Sequence, residues 1–267
     1  MAAKVDWEQL YERTIAQVVA SGSTRPSRRP YEIPADVRTD VRRILAETPV
    51  PGLNLGWLVT ALADGERRWF AAAVCAKASG SYLDAAFDGG SGEDVPRLPQ
   101  GSFPSSMLDA LARAAVLERD PSFDGHFVRP AIWMFGWAAT VDAITRYLHD
   151  GTAAEKWGAV NALYHASGAW RPPYGPETID ARTFAAHWRP ASEAMLTEFV
   201  HTTDRSLQQT IVRWLGPIEQ YRPSLRDLAR RAHEIARNHS DAFVRRAGTD
   251  VDKEGHVRFR PLPSRED

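Results

Sequence analysis

Apolar residues recur every three to four positions along most of this sequence, the spacing that places them on one face of an α-helix. Prolines, glycines and short Asp-containing turns separate the successive segments, as signals that end helices do. No segment alternates between apolar and polar residues as a half-buried strand would. The pattern predicts an all-α fold with helices at about 7–20, 35–48, 52–63, 66–78, 105–119, 127–137, 140–149, 153–166, 184–201, 206–215 and 224–246.

Interruptions of this pattern divide the chain into three predicted parts. Residues 1–30 hold the first helix and a Ser/Pro/Arg-rich flexible connection, 31–247 form the helical domain, and 248–267 form a polar C-terminal tail with one short strand near 256–259. Two Gly- and Pro-rich stretches interrupt the domain, at about 79–105 and 169–182. A structureless stretch as long as the first is uncommon in a compact domain. It is either an ordered excursion with a function or a disordered insert, and we expect the insert.

Composition excludes only a few classes of protein. The chain has 267 residues, 43% of them hydrophobic, and a formal net charge of -1, so no strong charge points to nucleic acid or to a membrane surface. It lacks both the roughly 20 apolar residues of a membrane span and the apolar core of a secretory signal, which predicts a cytoplasmic protein with no membrane partner. The single cysteine, Cys75, lies in an apolar run and is expected to be a buried, unreactive thiol.

Three segments share one arrangement, in which a helix ends, a short turn containing Asp follows, and the next helix places polar residues before a small apolar face. They are Asp64–Ala72, Asp150–Leu163 and Thr203–Leu215. This arrangement resembles the turn and second helix of a HEAT repeat, and the likeness covers most of Ala35 to Arg246. The resemblance implies a right-handed solenoid of antiparallel helix pairs, each covering its neighbour's apolar face and leaving a concave surface free. Such surfaces in this family mostly bind proteins, peptides or nucleic acids.

The first functional hypothesis is therefore a non-enzymatic scaffold that binds a protein or peptide on its concave face. The second interruption of the helical pattern is aromatic and proline-rich, and it supplies the candidate contacts Trp170, Arg171 and Tyr174, to which we add His187. Aromatic residues outside regular helices often face a cleft or a partner, and buried aromatic anchors dominate the affinity of many interfaces. The alternative for this loop is that it folds back over an edge of the core.

The second hypothesis is a DNA-binding or base-excising protein. The string Trp137-Ala138-Ala139-Thr140-Val141-Asp142 is similar to an element of the HEAT-like alkylpurine DNA glycosylases, and Val212–Leu215 is similar to a later one. The resemblance implies that Asp142, with Trp137 and Trp214, would stabilise a cationic sugar in a cleft. It also implies basic residues that hold the DNA backbone, for which the candidates are Arg213, Arg226, Arg230 and Arg237. The sequence departs from that family at Ala138 and Ala139, which replace a second tryptophan and an acidic residue. On the simpler interpretation Asp142 is a surface residue early in a helix, where it complements the helix dipole.

Other chemistry finds no support in the sequence. There is no Walker loop, no nucleophile elbow and no dinucleotide fingerprint at the start of a helix. The eight histidines lack the spacing of a zinc site: the pairs His201/Asp204 and His233/Glu234 have no second half. We therefore predict no metal and no cofactor, and we favour a protein that is not an enzyme; if it is one, the resemblance implies a DNA N-glycosylase. The oligomeric state is left open.

Overall fold

The computed structural model describes residues 6–20, 33–47, 53–80, 101–169 and 179–254 of the chain. Within these ranges the fold is all-α, as predicted, with twelve α-helices, three short 3-10 helices and no strand. The α-helices are α1 Trp7–Ala20, α2 Ala35–Glu47, α3 Leu55–Ala63, α4 Arg68–Ser79, α5 Ser105–Val116, α6 Gly125–Phe135, α7 Trp137–Asp150, α8 Ala153–Ala169, α9 Ala181–His201, α10 Arg205–Ile211, α11 Arg226–Arg237 and α12 Ala242–Glu254. The 3-10 helices are Val212–Trp214, Ile218–Gln220 and Pro223–Leu225.

Two predictions about the C-terminal third are wrong. The segment 224–246 is not one helix, because a turn at Asn238–Asp241 separates α11 from α12. The Asp241 carboxylate accepts hydrogen bonds from the backbone N–H groups of Phe243 and Val244, so it caps a new helix. The segment predicted as a polar tail, 248–267, is helical at its start, because α12 continues to Glu254. The predicted strand at 256–259 lies outside the described residues.

The boundary between α6 and α7 differs from the prediction, and this difference determines where the Trp137 side chain lies. Sequence spacing placed Trp137 at the end of one helix, but it is the first residue of the next. Gly136 has φ 85°, a conformation that a side chain disfavours, and it separates the two helices. Trp137 is consequently directed into the core at the start of α7, where it is fully buried.

The helices are built around one apolar core. Its packing joins helices that are close in chain order: α3 contacts α4 and α5, α5 contacts α6, α7 and α8, and α7 contacts α8 and α9. Gly158 of α8 lies so close to α5 that a Cβ there would be 1.8 Å from the carbonyl oxygen of Val116. Only glycine permits this close approach of the two helices.

The N-terminal helix is attached by specific contacts as well as by packing. Trp7 is buried and its ring stacks on Trp57, with ring centroids 6.4 Å apart. Glu8 accepts hydrogen bonds from Trp57 Nε1 at 2.9 Å and from Arg67, whose guanidinium holds the pKa of that carboxyl below its usual range. These bonds tie α1 to α3 and to the turn before α4.

The two predicted interruptions are shorter than expected, because the helices on either side extend into them. Helix α4 runs through Ser79, α8 runs through Ala169 and α9 begins at Ala181. The centres of both, 81–100 and 170–178, lie outside the described residues, and with them Trp170, Arg171 and Tyr174. None of the helices in the described ranges combines the length and apolar character that crossing a membrane would require.

Candidate functional site

Five aromatic side chains from four parts of the chain form a connected set, which we call the aromatic cluster: Trp137, Phe184, Trp188, Trp214 and Tyr164. Phe184 and Trp188 lie four residues apart on α9, so both face α7. Their rings stack on the Trp137 ring, with centroid separations of 5.1 Å and 6.4 Å. The packing of α7 against α9 therefore creates the inner half of the cluster.

The inner end of the cluster is fixed in place. Trp137 has no exposed surface, and its Nε1 donates a hydrogen bond of 3.0 Å to the carbonyl oxygen of Ala166 on α8. A buried indole N–H that finds a partner satisfies the usual requirement for burying tryptophan. The ring is thereby anchored to two neighbouring helices and provides a rigid base for Phe184 and Trp188.

The outer end of the cluster reaches solvent. Trp214, in the 3-10 helix after α10, packs against Trp188 with the ring centroids 5.6 Å apart. Tyr164 of α8 meets Trp214 edge to face at 6.2 Å and is 54% exposed. The aromatic cluster thus runs from a fully buried ring to one with more than half its surface in water.

A carboxylate and an imidazole lie beside the inner half of the cluster. His187 Nδ1 is 2.9 Å from both carboxylate oxygens of Asp142, which joins α9 to α7. The imidazole also meets the Trp137 ring edge-on at 6.5 Å. The Asp142 side chain is 54% exposed and that of His187 is 32% exposed. This Asp142–His187 pair is therefore a polar element on the surface next to stacked aromatic rings.

The structure brings together Trp137, Asp142 and Trp214, the three residues that the resemblance to the alkylpurine DNA glycosylases groups. Trp137 and Trp214 both contact Trp188, and Trp137 contacts the imidazole that binds Asp142. His187, expected as a partner contact, lies in the same place. Trp137 itself is buried, so it supports the site and does not reach a ligand.

Sequence reasoning missed Phe184, Trp188 and Tyr164 as members of this site. The signal that could have found two of them is the spacing of Phe184, His187 and Trp188, which is that of residues on one helical face. Nothing in the sequence pairs that face with Asp142, which is 45 residues from His187. Tyr164 follows an apolar stripe, and only the packing of α8 leaves its ring exposed.

The arginines considered for DNA contacts are engaged by local partners. The Arg213 guanidinium lies over the Phe243 ring, 4.9 Å from its centroid. Arg226 donates to the carbonyl oxygen of Tyr221 at 3.3 Å, and Arg230 pairs with Asp227. Arg237 is exposed on the same helix, α11.

A second cluster of a carboxylate, histidines and aromatic rings lies at the start of α6, and we call it the Asp124 cluster: Asp124, His126, His165, Trp69 and Phe123. Asp124 is fully buried, and neither of its carboxylate oxygens has a hydrogen-bond partner among the residues that the structure describes. Burial, with the nearby charges of Glu118 and Asp120, raises the pKa of this carboxyl to about 9. The group is therefore a neutral acid at pH 7.

Burial lowers the pKa values of both histidines of the Asp124 cluster. The His126 ring packs against Trp69 at 5.3 Å and Phe123 at 5.7 Å, and burial lowers its pKa to about 4. Burial also lowers the pKa of His165, although its Nε2 is 2.6 Å from the carbonyl oxygen of Pro121. Asp124 and Trp69 are buried, and Phe123, His126 and His165 are half-buried, so the Asp124 cluster is a packing element of the fold.

The structure confirms the prediction that Cys75 is a buried thiol. Cys75 is fully buried, and burial raises the pKa of its thiol to about 12, as expected of an unreactive thiol. His201 and Asp204, considered and rejected as metal ligands, have local roles: His201 Nδ1 is 2.7 Å from the Thr197 carbonyl oxygen, and Asp204 caps α10. Among the described residues no three His, Cys, Asp or Glu side chains are grouped so that they could hold a metal ion.

Comparison of the chain with known proteins adds no family to this description. No protein-family model matches the sequence, and no curated protein matches it closely enough to count as a relative.

Proposed function

We propose that the chain is a HEAT-like helical module that binds a polypeptide, without catalysis, on the aromatic cluster. The packing order supports the solenoid part of this proposal. Extensive contacts join helices that are at most three apart in chain order, as in α5 with α8 and α9 with α11. Contacts restricted to near neighbours are typical of stacked helical repeats.

The observation that carries the polypeptide proposal is the graded exposure of the aromatic cluster. Tyr164 presents more than half its surface to water, while the rings behind it are stacked down to the buried Trp137. Tyrosine and tryptophan held rigidly at a surface lose little side-chain entropy when a partner covers them, and such residues dominate protein interfaces. A supported ring of this kind is a preformed anchor.

The proposal is tested by capture of proteins from a lysate of the native organism, using the wild-type chain and two variants. Tyr164→Ala removes the outer ring, and Leu117→Ala is the matched control, because Leu117 is an apolar residue 38% exposed at the end of α5. A protein retained by the wild type and by Leu117→Ala is then purified, and its affinity for all three chains is measured by calorimetry. We expect Tyr164→Ala to weaken binding by about tenfold or more. Equal affinities for the three chains would show that the aromatic cluster does not bind the retained protein.

A second function is favoured by one observation. Trp137, Asp142 and Trp214 converge through shared contacts with His187 and Trp188, and the carboxylate is exposed. A DNA N-glycosylase of HEAT-like type would use such a carboxylate to stabilise a cationic sugar. The buried position of Trp137 and the local engagement of Arg213, Arg226 and Arg230 place this function second.

The second function has its own test. Binding of a fluorescein-labelled DNA duplex is measured at several salt concentrations, and release of methylated purines is assayed with the wild type and Asp142→Asn. The glycosylase function requires binding that falls steeply with salt and base release that is lost in Asp142→Asn. Absence of duplex binding at low salt would exclude it.

A further inference from the structure

We propose that the polypeptide bound at the aromatic cluster contributes an arginine side chain that pairs with the Asp142 carboxylate. This inference rests on the proposed function and deepens it, because it states the chemistry of the partner. Three features carry it: the exposure of Asp142, the way His187 orients its carboxylate, and the aromatic rings beside it.

Among the described residues, Asp142 has no cationic partner of permanent charge. Its contact within the described part of the chain is the imidazole of His187, and its side chain is 54% exposed. The arginine one turn further along α7, Arg146, donates instead to Asp109 at 2.6 Å. The negative charge of Asp142 is consequently open to a cation from outside.

The orientation of the carboxylate is fixed. His187 Nδ1 is equidistant from both oxygens, and the imidazole is held edge-on against the buried Trp137 ring. A carboxylate accepts about four hydrogen bonds in total, so one imidazole N–H leaves several lone pairs unused. A guanidinium can donate to one of these lone pairs, on the side of the carboxylate that His187 leaves open.

The surroundings of the carboxylate suit an arginine stem as well as its charge. Phe184 and Trp188 lie on the same side of α9 as His187 and are only partly buried. A guanidinium stacks on aromatic rings, and its aliphatic stem covers apolar surface. Lysine can supply the charge but not the planar stacking on the aromatic rings, so we expect it to bind more weakly.

The same arrangement disfavours a phosphate. A negative carboxylate beside the aromatic cluster repels a polyanion. The arginines of α9, Arg182 and Arg189, lie on the opposite side of the helix from Phe184 and Trp188 by helical spacing. A cationic polypeptide therefore fits this surface better than a nucleic acid backbone does.

The experiment uses defined peptides. A phage library of random dodecapeptides is selected on the full chain, and the enriched peptides are synthesised with a fluorescent label. Their affinities are measured by anisotropy for the wild type, Asp142→Asn, Tyr164→Ala and Asp150→Asn. Asp150 is the matched control because it is an exposed carboxylate on the same helix as Asp142. Each peptide is also made with its arginines changed to glutamine.

We expect the enriched peptides to contain arginine next to an apolar residue. Asp142→Asn should weaken them about tenfold, Asp150→Asn less than about twofold, and the arginine-to-glutamine peptide should bind wild type and Asp142→Asn equally. Peptides that need Tyr164 but bind Asp142→Asn as tightly as Asp150→Asn would overturn the arginine inference and leave the proposed function standing. Failure to enrich any peptide whose binding needs Tyr164 would overturn both, and Tyr164-dependent binding of a labelled DNA duplex in that case would favour the second function.

Discussion

Two regions of this molecule combine a carboxylate, histidine and tryptophan, and they differ in their access to water. In the Asp124 cluster the carboxyl is fully buried, its oxygens have no hydrogen-bond partner within the described ranges, and His126 packs against Trp69 and Phe123. In the Asp142–His187 pair the carboxylate is 54% exposed and accepts a hydrogen bond from an imidazole beside stacked rings. The residue types are the same, and only their environment differs.

The difference shows how burial decides what a carboxylate can do. Removing Asp124 from water disfavours its charged form, so it is protonated at neutral pH and its burial opposes folding as the pH rises. Asp142 remains in contact with water and can offer its charge to a ligand. The first region therefore affects stability, and the second is the one available for function.

The largest expected effect concerns Asp124→Asn. Because the pKa of Asp124 is higher in the folded than in the unfolded chain, its contribution to stability is fully present below about pH 4 and is lost as the pH rises toward 9. The variant cannot ionise, so its free energy of unfolding should increase relative to wild type by about 1.4 kcal/mol per pH unit, or about 5 kcal/mol from pH 4 to pH 8. Urea unfolding measured across this range gives the difference. Phe123→Leu, a packing variant of the same cluster, should have the same pH dependence of the unfolding free energy as wild type. If Asp124→Asn also has the pH dependence of wild type, Asp124 does not have a raised pKa.

The next largest effect separates the two ends of the aromatic cluster. Trp137→Ala should lower the free energy of unfolding by about 4 kcal/mol, because it removes a fully buried ring and its hydrogen bond to Ala166. Tyr164→Ala should change it by less than about 0.5 kcal/mol, as expected of an exposed side chain. Thermal and urea unfolding of both variants measure the contrast. Similar losses for both would mean that Tyr164 is a core residue and unsuited to be an anchor.

A third effect has the opposite dependence on pH from that of Asp124. The pKa of His126 is lower in the folded chain, so its contribution to stability is present above about pH 6.5 and is lost as the pH falls toward 4. His126→Phe keeps a ring against Trp69 and Phe123 but cannot be protonated. Relative to wild type, it should therefore gain about 3 kcal/mol of unfolding free energy between pH 6.5 and pH 4. Urea unfolding in acid measures the gain, and no gain would show that the imidazole is not buried in the folded state.

The smallest expected effect is that of His187→Ala on stability. An exposed hydrogen-bonded pair contributes little, so the free energy of unfolding should fall by less than about 1 kcal/mol. Peptide affinity should fall more clearly, because the variant frees the Asp142 carboxylate to adopt other rotamers. Urea unfolding and peptide anisotropy, measured on the same preparation, compare the loss of stability with the loss of affinity. A large loss of stability with unchanged affinity would make the Asp142–His187 pair a structural element like the Asp124 cluster.

Particular residues show how far the sequence predicted this site. A remote resemblance grouped Trp137, Asp142 and Trp214, whereas the common face of Phe184, His187 and Trp188 was not predicted although their spacing is helical. The position of Trp137 was misassigned because spacing alone does not reveal that Gly136 adopts a positive φ and restarts the helix. The burial of Asp124 was not foreseen, since a single Asp before a helix is usually a solvated cap.

The sequence by itself determined the all-α character of the described chain, most helix positions and the buried state of Cys75. These depend on local periodicity and on apolar runs, which are readable residue by residue. Only the tertiary structure decided which carboxylate is sealed and which is exposed, and that Tyr164, Trp214 and Trp188 form one surface with the Asp142–His187 pair. Those outcomes depend on how α7, α8 and α9 pack against each other, and contacts between residues 45 apart in the chain leave no signal in its local pattern.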